Sequence, residues 1–422
     1  MTPSGDAASA ITSPPETHDP YAVLRSRDFV FYLVGRFVAA FGQQMLSGAV
    51  GWELYDRTHR ALDLGLVGLV QMIPMVLFTM PAGHVADNYK RKRIVLGTTF
   101  AIACASLGLT FISAHRAPVF WIFFCLFALG TARTFLWPAS SAFLPYLVPR
   151  RHFSKAVTWN SSCFQLSSVL GPAAGGALIA LVHHRAWPVY ALNAAAALVC
   201  FILISFVRSE HIVVAKERMT VRSLLVGFRF VFATPVILGT ITLDLFAVLL
   251  GGATALLPAY AKDILHVNAD GLGLLQAALP LGSLCCALFL AHRRPLQRAG
   301  RAMLWAVAAF GLATIAFGFS RWFWFSLLML CVCGAVDNIS IVVRHTLVQL
   351  LTPDEKRGRV SAVNSLFIGT SNELGGFESG LIAEFFGPVF SVVSGGIGTI
   401  LVVIAVAFYW PQIGKFGRLD AV

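Results

Sequence analysis

Residues 83–92 read Gly83-His84-Val85-Ala86-Asp87-Asn88-Tyr89-Lys90-Arg91-Lys92, and Arg93 follows. Four consecutive cations and one acid stand between two long apolar runs, 64–86 and 94–113. A run of ~20 apolar residues is the length of a helix that crosses a bilayer. Helices are the natural solution there, because hydrocarbon offers no partner to a free backbone N–H or C=O. The stretch is therefore a polar hairpin joining two membrane spans. The rest of the chain has the composition this requires: 422 residues, 57% hydrophobic and 12% charged, with a mean hydropathy of +0.75. Soluble domains carry about 25% charged residues, and a single soluble core stops growing near ~250–300 residues. Lipid must be the solvent for most of this chain. A soluble enzyme, a secreted disulfide scaffold and a disordered protein are excluded.

Outward from the hairpin, apolar segments fall near 29–55, 64–86, 94–113, 119–146, 155–182, 188–207, 233–260, 271–291, 301–319, 323–350, 360–386 and 388–410. These predict an all-α integral membrane protein of twelve spanning helices. The polar stretch 1–24 lacks the basic and apolar regions of a signal peptide and reads as a cytoplasmic tail. The longest interruption, 208–232, divides the spans into two sets of six. The expected organisation is a tail (1–24), a six-helix bundle (25–207), a linker (208–232), a second six-helix bundle (233–410) and a short tail (411–422).

The net charge of +12 would suggest nucleic acid in a soluble protein. Here its distribution gives another reason. Twenty-three of the 32 Lys and Arg fall in the tails, the linker and the connections on their side. The alternate connections hold Arg57, Arg60, Arg116, Arg185, Lys262 and Arg321, and Arg36, Arg133 and Arg344 lie inside spans. Cytoplasmic loops carry the excess of cations. Both termini and the linker are thus expected in the cytoplasm, and the partner of the charge is the bilayer rather than nucleic acid.

The two sets of spans resemble each other. Pro149, Asn160, Ser161, Leu170, Gly171 and Gly176 recur 204 residues later as Pro353, Asn364, Ser365, Leu374, Gly375 and Gly380. At nearly the same offset Gly68–Gln71 and Gly273–Gln276 share Gly-x-x-Gln. Such a repeat predicts two pseudo-symmetric six-helix bundles related by an axis along the membrane normal.

With Gly83, Asp87, Arg91 and Lys92, the hairpin has the form G-x-x-x-D-x-x-x-R-K, which resembles the signature between the second and third helices of the major facilitator superfamily. The resemblance implies a cytoplasmic gate held shut by this hairpin when the protein faces outward. Gly83 would let two helices approach, Asp87 would meet cations or a helix N-terminus, and Arg91 and Lys92 would hold the anionic leaflet. Gly171-Pro172-Ala173-Ala174-Gly175-Gly176 resembles the antiporter motif of the superfamily's exporters, with Ser167 where that motif carries glycine. Proline bends the helix and glycine admits close contact. Trp52-Glu53-Leu54-Tyr55, the stretch from Asp244 to Pro258, Arg357 to Asn364, and Ser371 to Gly375 look like the enterobactin-exporter branch, grouped with macrolide and multidrug efflux proteins. That likeness covers about residues 25–410. It implies a bacterial inner-membrane exporter driven by proton entry.

Ionisable groups inside a bilayer are costly and usually functional. Asp244, Asp337, Glu373 and Arg133 are expected near mid-depth, Arg36 and Arg344 nearer the cytoplasm, and Glu378 and Glu53 nearer the outside. Asp244, Asp337, Glu373 and Glu378 are the candidates for proton coupling, since a buried carboxylate that meets a cation in one state and loses it in another exchanges protons. Asp244 has no charged neighbour in its own span, which favours it. Arg36, Arg133, Arg344, Gln43, Gln44 and Asn338 are the candidates for ion pairs or substrate contacts. Arg133 and Asp337 occupy equivalent positions of the repeat, and are expected to face each other across a central cavity. Each also has a plainer reading, as a buried pair or hydrogen bond that fixes helix positions.

The eight cysteines all lie in apolar runs without zinc spacing, so no metal is expected, and no cofactor motif is present. No nucleophile elbow, zinc-protease helix or P-loop occurs, so the chain is not expected to be an enzyme. The expected function is proton-coupled export of a small amphipathic molecule, siderophore-like or drug-like, by alternating access. A monomer is the expected state. The alternative is an importer or facilitator of the same fold.

Overall fold

The computed structural model describes residues 21–208, 228–293 and 298–415, so most of the expected linker and nearly all of both tails lie outside the described residues. Twelve long helices occur among those residues: α1 (Arg27–Thr58), α2 (Ala61–Asn88), α3 (Arg91–Ala114), α4 (Val119–Phe143), α5 (Phe153–Leu181), α6 (Trp187–Ser205), α7 (Pro235–Leu250), α8 (Ala269–Ala291), α9 (Ala299–Phe319), α10 (Phe323–Leu351), α11 (Asp354–Phe386) and α12 (Pro388–Tyr409). They run alternately up and down. The near end of the molecule holds the start of α1 and the end of α12, and the far end holds the α1–α2 turn.

Among the described residues eleven spans are long and apolar enough to cross a membrane, the seventh when α7 is continued to Ile264. The exception is α11, which carries Glu373, Glu378 and Glu384 along its 33 residues. It is screened from lipid by long contacts with α2 and further contacts with α7 and α12. The seventh span also departs from the uniform helix expected over 233–260. After Leu250 the chain passes through Gly251-Gly252, a 3-10 turn (Ala253–Leu256), one helical turn (Leu257–Ala259) and a π turn (Tyr260–Ile264). Two glycines and Pro258 supply the physical reason, since neither residue type sustains an α-helix interior.

Helices α1–α6 pack on one another in one half and α7–α12 in the other. The halves meet along two long seams, α2 against α11 and α5 against α8. Both seams close on glycine. A Cβ added to Gly380 would stand 2.7 Å from the Cα of Gly65, and one on Gly176 would stand 2.9 Å from the Cα of Gly273. Without a hydrophobic drive between helices in lipid, such close backbone contact supplies the packing. Gly176 and Gly380 are the 204-residue repeat partners, so the duplication seen in sequence is the symmetry of the two seams. The outer surface is apolar: Phe408 is 81% and Trp305 75% exposed. In water that would be an aggregation liability; here it is the lipid face.

Candidate functional site

A cavity of about 470 Å³ lies between the halves at mid-depth. Gln44 and Ser47 of α1, Gln71 of α2, Arg133 of α4 and Ser168 of α5 face it from one half. Gln276 of α8 and Asn372 and Glu373 of α11 face it from the other. Arg133 Nη1 donates to Gln71 Oε1 at 2.8 Å, and Gln44 Nε2 donates to Ser168 Oγ at 2.8 Å. Gln165 Nε2 crosses the α5–α8 seam to the Pro280 carbonyl at 3.0 Å. Gly68 is required here, because a Cβ would meet the Glu373 carbonyl oxygen at 2.7 Å and its carboxylate at 3.1 Å. The result is one cation from one half and one carboxylate from the other, facing a common polar space.

A second cavity of about 130 Å³ adjoins the first within the C-terminal half. Asp244, Ser340 and Asp337 line it, and Thr254, Leu279 and Asn372 form the wall it shares with the central cavity. Arg344 of α10 forms an ion pair with the Asp244 carboxylate, with the two residues 3% and 8% exposed. Asp244 has no charged neighbour in its own span, yet it is paired. Its partner comes from another helix, 100 residues along the chain. The expectation that Arg133 faces Asp337 is corrected. Arg133 meets the α2 and α11 side of the central cavity, while Asp337 turns into the space opened by the break of α7 at Gly251-Gly252.

The remaining candidates are dispersed. Arg36 is half-buried on α1, and Glu378 half-buried on α11; neither lines the central or the second cavity. Gln43 Nε2 and Asn338 Nδ2 are buried without a hydrogen bond among the described residues. Glu53 pairs with Arg57 at 3.2 Å near the far end. Sequence reading missed Gln71, Gln276, Thr254 and Asn372 as cavity residues. The signal for the two glutamines was present: both belong to the repeated Gly-x-x-Gln, noted for its symmetry and not for what it displays.

The antiporter-like motif packs α5 on α1 within its half and on α8 across the seam. A Cβ on Gly171 would strike Gln44 and the Phe41 carbonyl, one on Gly175 would strike Met45, and Gly176 meets Gly273. Pro172 lines the central cavity. In the hairpin at the near end, Gly83 and Asp87 lie in the last turns of α2, and the Asp87 side chain is outside the described residues. Arg91 Nη1 donates to the Ala142 carbonyl at 3.3 Å, and its guanidinium lies over the Tyr146 ring. Lys92 Nζ donates to the Ser205 and Val207 carbonyls, both at 2.8 Å. These cations were expected to hold lipid; they cap the C-terminal ends of α4 and α6, where carbonyls point outward and positive charge is favoured.

At the far end the halves are tied together. Tyr55 donates to Asp263, Lys262 meets Asp56 at 2.5 Å, and Arg60 Nε meets Glu384 at 3.2 Å. Glu384 also accepts the Leu62 amide at 3.1 Å, a carboxylate at the N-terminus of α2.

Comparison with known proteins fits this geometry. The enterobactin exporter EntS of Citrobacter koseri is 26% identical over 392 residues, spanning 91% of this chain and 92% of that protein. A crystal structure of a POT family transporter in complex with 5-aminolevulinic acid superposes with a TM-score of 0.72 at 12% identity, covering 92% of this chain and 97% of its own. A bacterial homolog to human lysosomal transporter Spinster, inward-facing and occupied, gives 0.71 at 14% identity, covering 94% and 98%. The family model of the Major Facilitator Superfamily matches residues 32–367. Twelve long helices in two packed halves around a polar cavity, with that match over most of the length, place this chain in the major facilitator superfamily as a membrane transporter of its type.

Proposed function

We propose that the chain exports a small amphipathic molecule, siderophore-like or drug-like, from the bacterial cytoplasm in exchange for protons. The observation that carries this reading is the central cavity, where Arg133 and Glu373 come from opposite halves beneath a tied far end. The cation-rich near end faces the cytoplasm by the positive-inside rule, so the cavity in this state is closed to the outside. The exporter-named relative supports the direction and the cargo class. Each chain encloses its own cavity, so a monomer suffices.

The cycle follows from differential binding, since a ligand shifts two states only by the difference in its affinity for them. With the far end open, Glu373 takes a proton from outside and its attraction to Arg133 falls. With the near end open, Glu373 returns the proton and again faces Arg133. Cargo enters the space beside Gln44, Gln71 and Gln276 in the second state and leaves in the first. Asp337 is the neighbouring carboxylate behind the Thr254–Leu279–Asn372 wall. The Asp244–Arg344 pair fixes α7 against α10.

The test is transport in oriented proteoliposomes, with siderophores, macrolides and lipophilic cations supplied on the near side and a pH gradient imposed. Acceleration by protons moving the opposite way supports antiport, and the responding compound names the cargo class. Transport indifferent to the gradient would make the chain a facilitator and the carboxylates structural.

A further inference from the structure

A third cavity, of about 300 Å³, opens at the far end of the N-terminal half, outside the transport path. Arg57 of α1, His115 and Arg116 after α3, His184 and Arg185 between α5 and α6, and Trp187 at the start of α6 line it. The positive-inside rule disfavours cations at this end if it faces outward. Six Lys and Arg stand in the connections there, and three of them converge on this one pocket. Topology does not ask for that.

Helix capping does not explain it either. His115 Nδ1 and the Phe111 carbonyl, 2.9 Å apart, already form the cap of α3. Arg57 is occupied, holding Glu53 at 3.2 Å and the Ala117 carbonyl. The other acid in the pocket, Asp56, is engaged by Lys262 of the opposite half. Among the described residues the guanidiniums of Arg116 and Arg185 make no hydrogen bond or ion pair. The backbone that presents them belongs to two helix ends: Arg116 follows α3, and His183 and His184 follow α5, with φ of 48°, 51° and 60°, while the Ala117 and His184 amides donate back to the Ile112 and Ile179 carbonyls at 2.9 Å each. Leu181 at the end of α5 and Phe120 at the start of α4 are 80% and 69% exposed.

We propose that this pocket binds a phosphate group, with the free guanidiniums of Arg116 and Arg185 as its donors and Trp187 as the wall toward the lipid. Arginine suits phosphate through paired N–H donors in a planar fork. The phosphate comes from an anionic lipid headgroup or from free phosphate, and both present the same oxygens. The site is independent of the export reading; the leaflet it faces and the argument from topology rest on the orientation given above.

The full chain, purified in detergent and stripped of lipid, is titrated with dioctanoyl phosphatidylglycerol, inorganic phosphate and, as a headless control, dioctanoylglycerol. Binding is read by intrinsic tryptophan fluorescence and by the shift in melting temperature. Saturable binding of both phosphate probes supports the site for either source; phosphatidylglycerol alone assigns it to lipid, and inorganic phosphate alone to the free ion. Arg116→Gln with Arg185→Gln should weaken binding by about tenfold per guanidinium lost. Arg150→Gln with Arg151→Gln, at the near end, should leave it unchanged. If the glutamine pair fails to fold, Arg116→Lys with Arg185→Lys keeps the charge without the fork and should bind at intermediate strength. No binding of either phosphate probe, equal binding of dioctanoylglycerol, or a lysine or glutamine pair that binds as the parent does would overturn the proposal.

Discussion

Asp244 and Arg344 face each other with almost no solvent access, and that fixes what their removal does. Losing one member of a buried pair strands the other charge and costs roughly 3–5 kcal/mol, whereas replacing both with apolar groups is often neutral. Asp244→Ala should therefore lower the melting temperature in detergent sharply, and Asp244→Leu with Arg344→Met should recover most of the loss. An equal loss in single and double variants would deny the pairing. Glu373 belongs to a different class, because it faces a cavity and a cation across the seam. Glu373→Gln should retain downhill cargo exchange while losing its acceleration by a proton gradient; normal acceleration would move the coupling group to Asp337. The sequence showed every one of these charges, because an ionisable residue in an apolar run stands out. What it could not show was the pairing: Asp244 looked solitary only because its partner is on a helix 100 residues away.

Helices were legible for the same reason that they form, since lipid enforces continuous hydrogen-bonded apolar runs. The predicted spans agree with the observed helices within a few residues nearly everywhere. The break of α7 was missed although Gly251-Gly252 stood in plain view. Hydropathy does not sense backbone geometry, and that break is what opens the second cavity. Glycine contacts between helices divide into two kinds with different consequences. Gly334 packs on the Leu279 carbonyl inside one half, so Gly334→Ala should destabilise the fold by roughly 1–3 kcal/mol of overpacking, read as a lower melting temperature. Gly176 packs on Gly273 between the halves, which the proposed cycle moves past each other. Gly176→Val should cut transport at least tenfold, which corresponds to about 1.4 kcal/mol on the moving step, while the melting temperature changes less than for Gly334→Ala. The reverse ranking would mean that the α5–α8 seam is static.

For the whole molecule, the proposed orientation rests on the charge asymmetry of the sequence, and the proposed state on the far-end ties. Exposed ion pairs are worth ~0–1 kcal/mol each, so removing Asp56–Lys262 and Arg60–Glu384 together should shift the balance of states by up to about thirtyfold. Asp56→Asn with Glu384→Gln, in a chain whose native cysteines are replaced and Ser47 is made cysteine, should speed labelling of the cavity by an impermeant maleimide from the far side. Unchanged labelling would show that the ties do not hold that end. The ties were invisible in sequence, because they join residues more than 200 positions apart that share no pattern. Their form has a mechanical consequence. Glu384 grips both the Arg60 side chain and the Leu62 amide, and Lys262 reaches Asp56 while lying over the Trp52 ring. Contacts of this kind hold within a few ångströms and are screened beyond ~8–10 Å. They work as a detent: nothing yields at small displacements, and once the grips slip together little resists the rest of the swing. Dwell time then accumulates at the two extremes, and half-open postures, through which ions would leak, are crossed quickly.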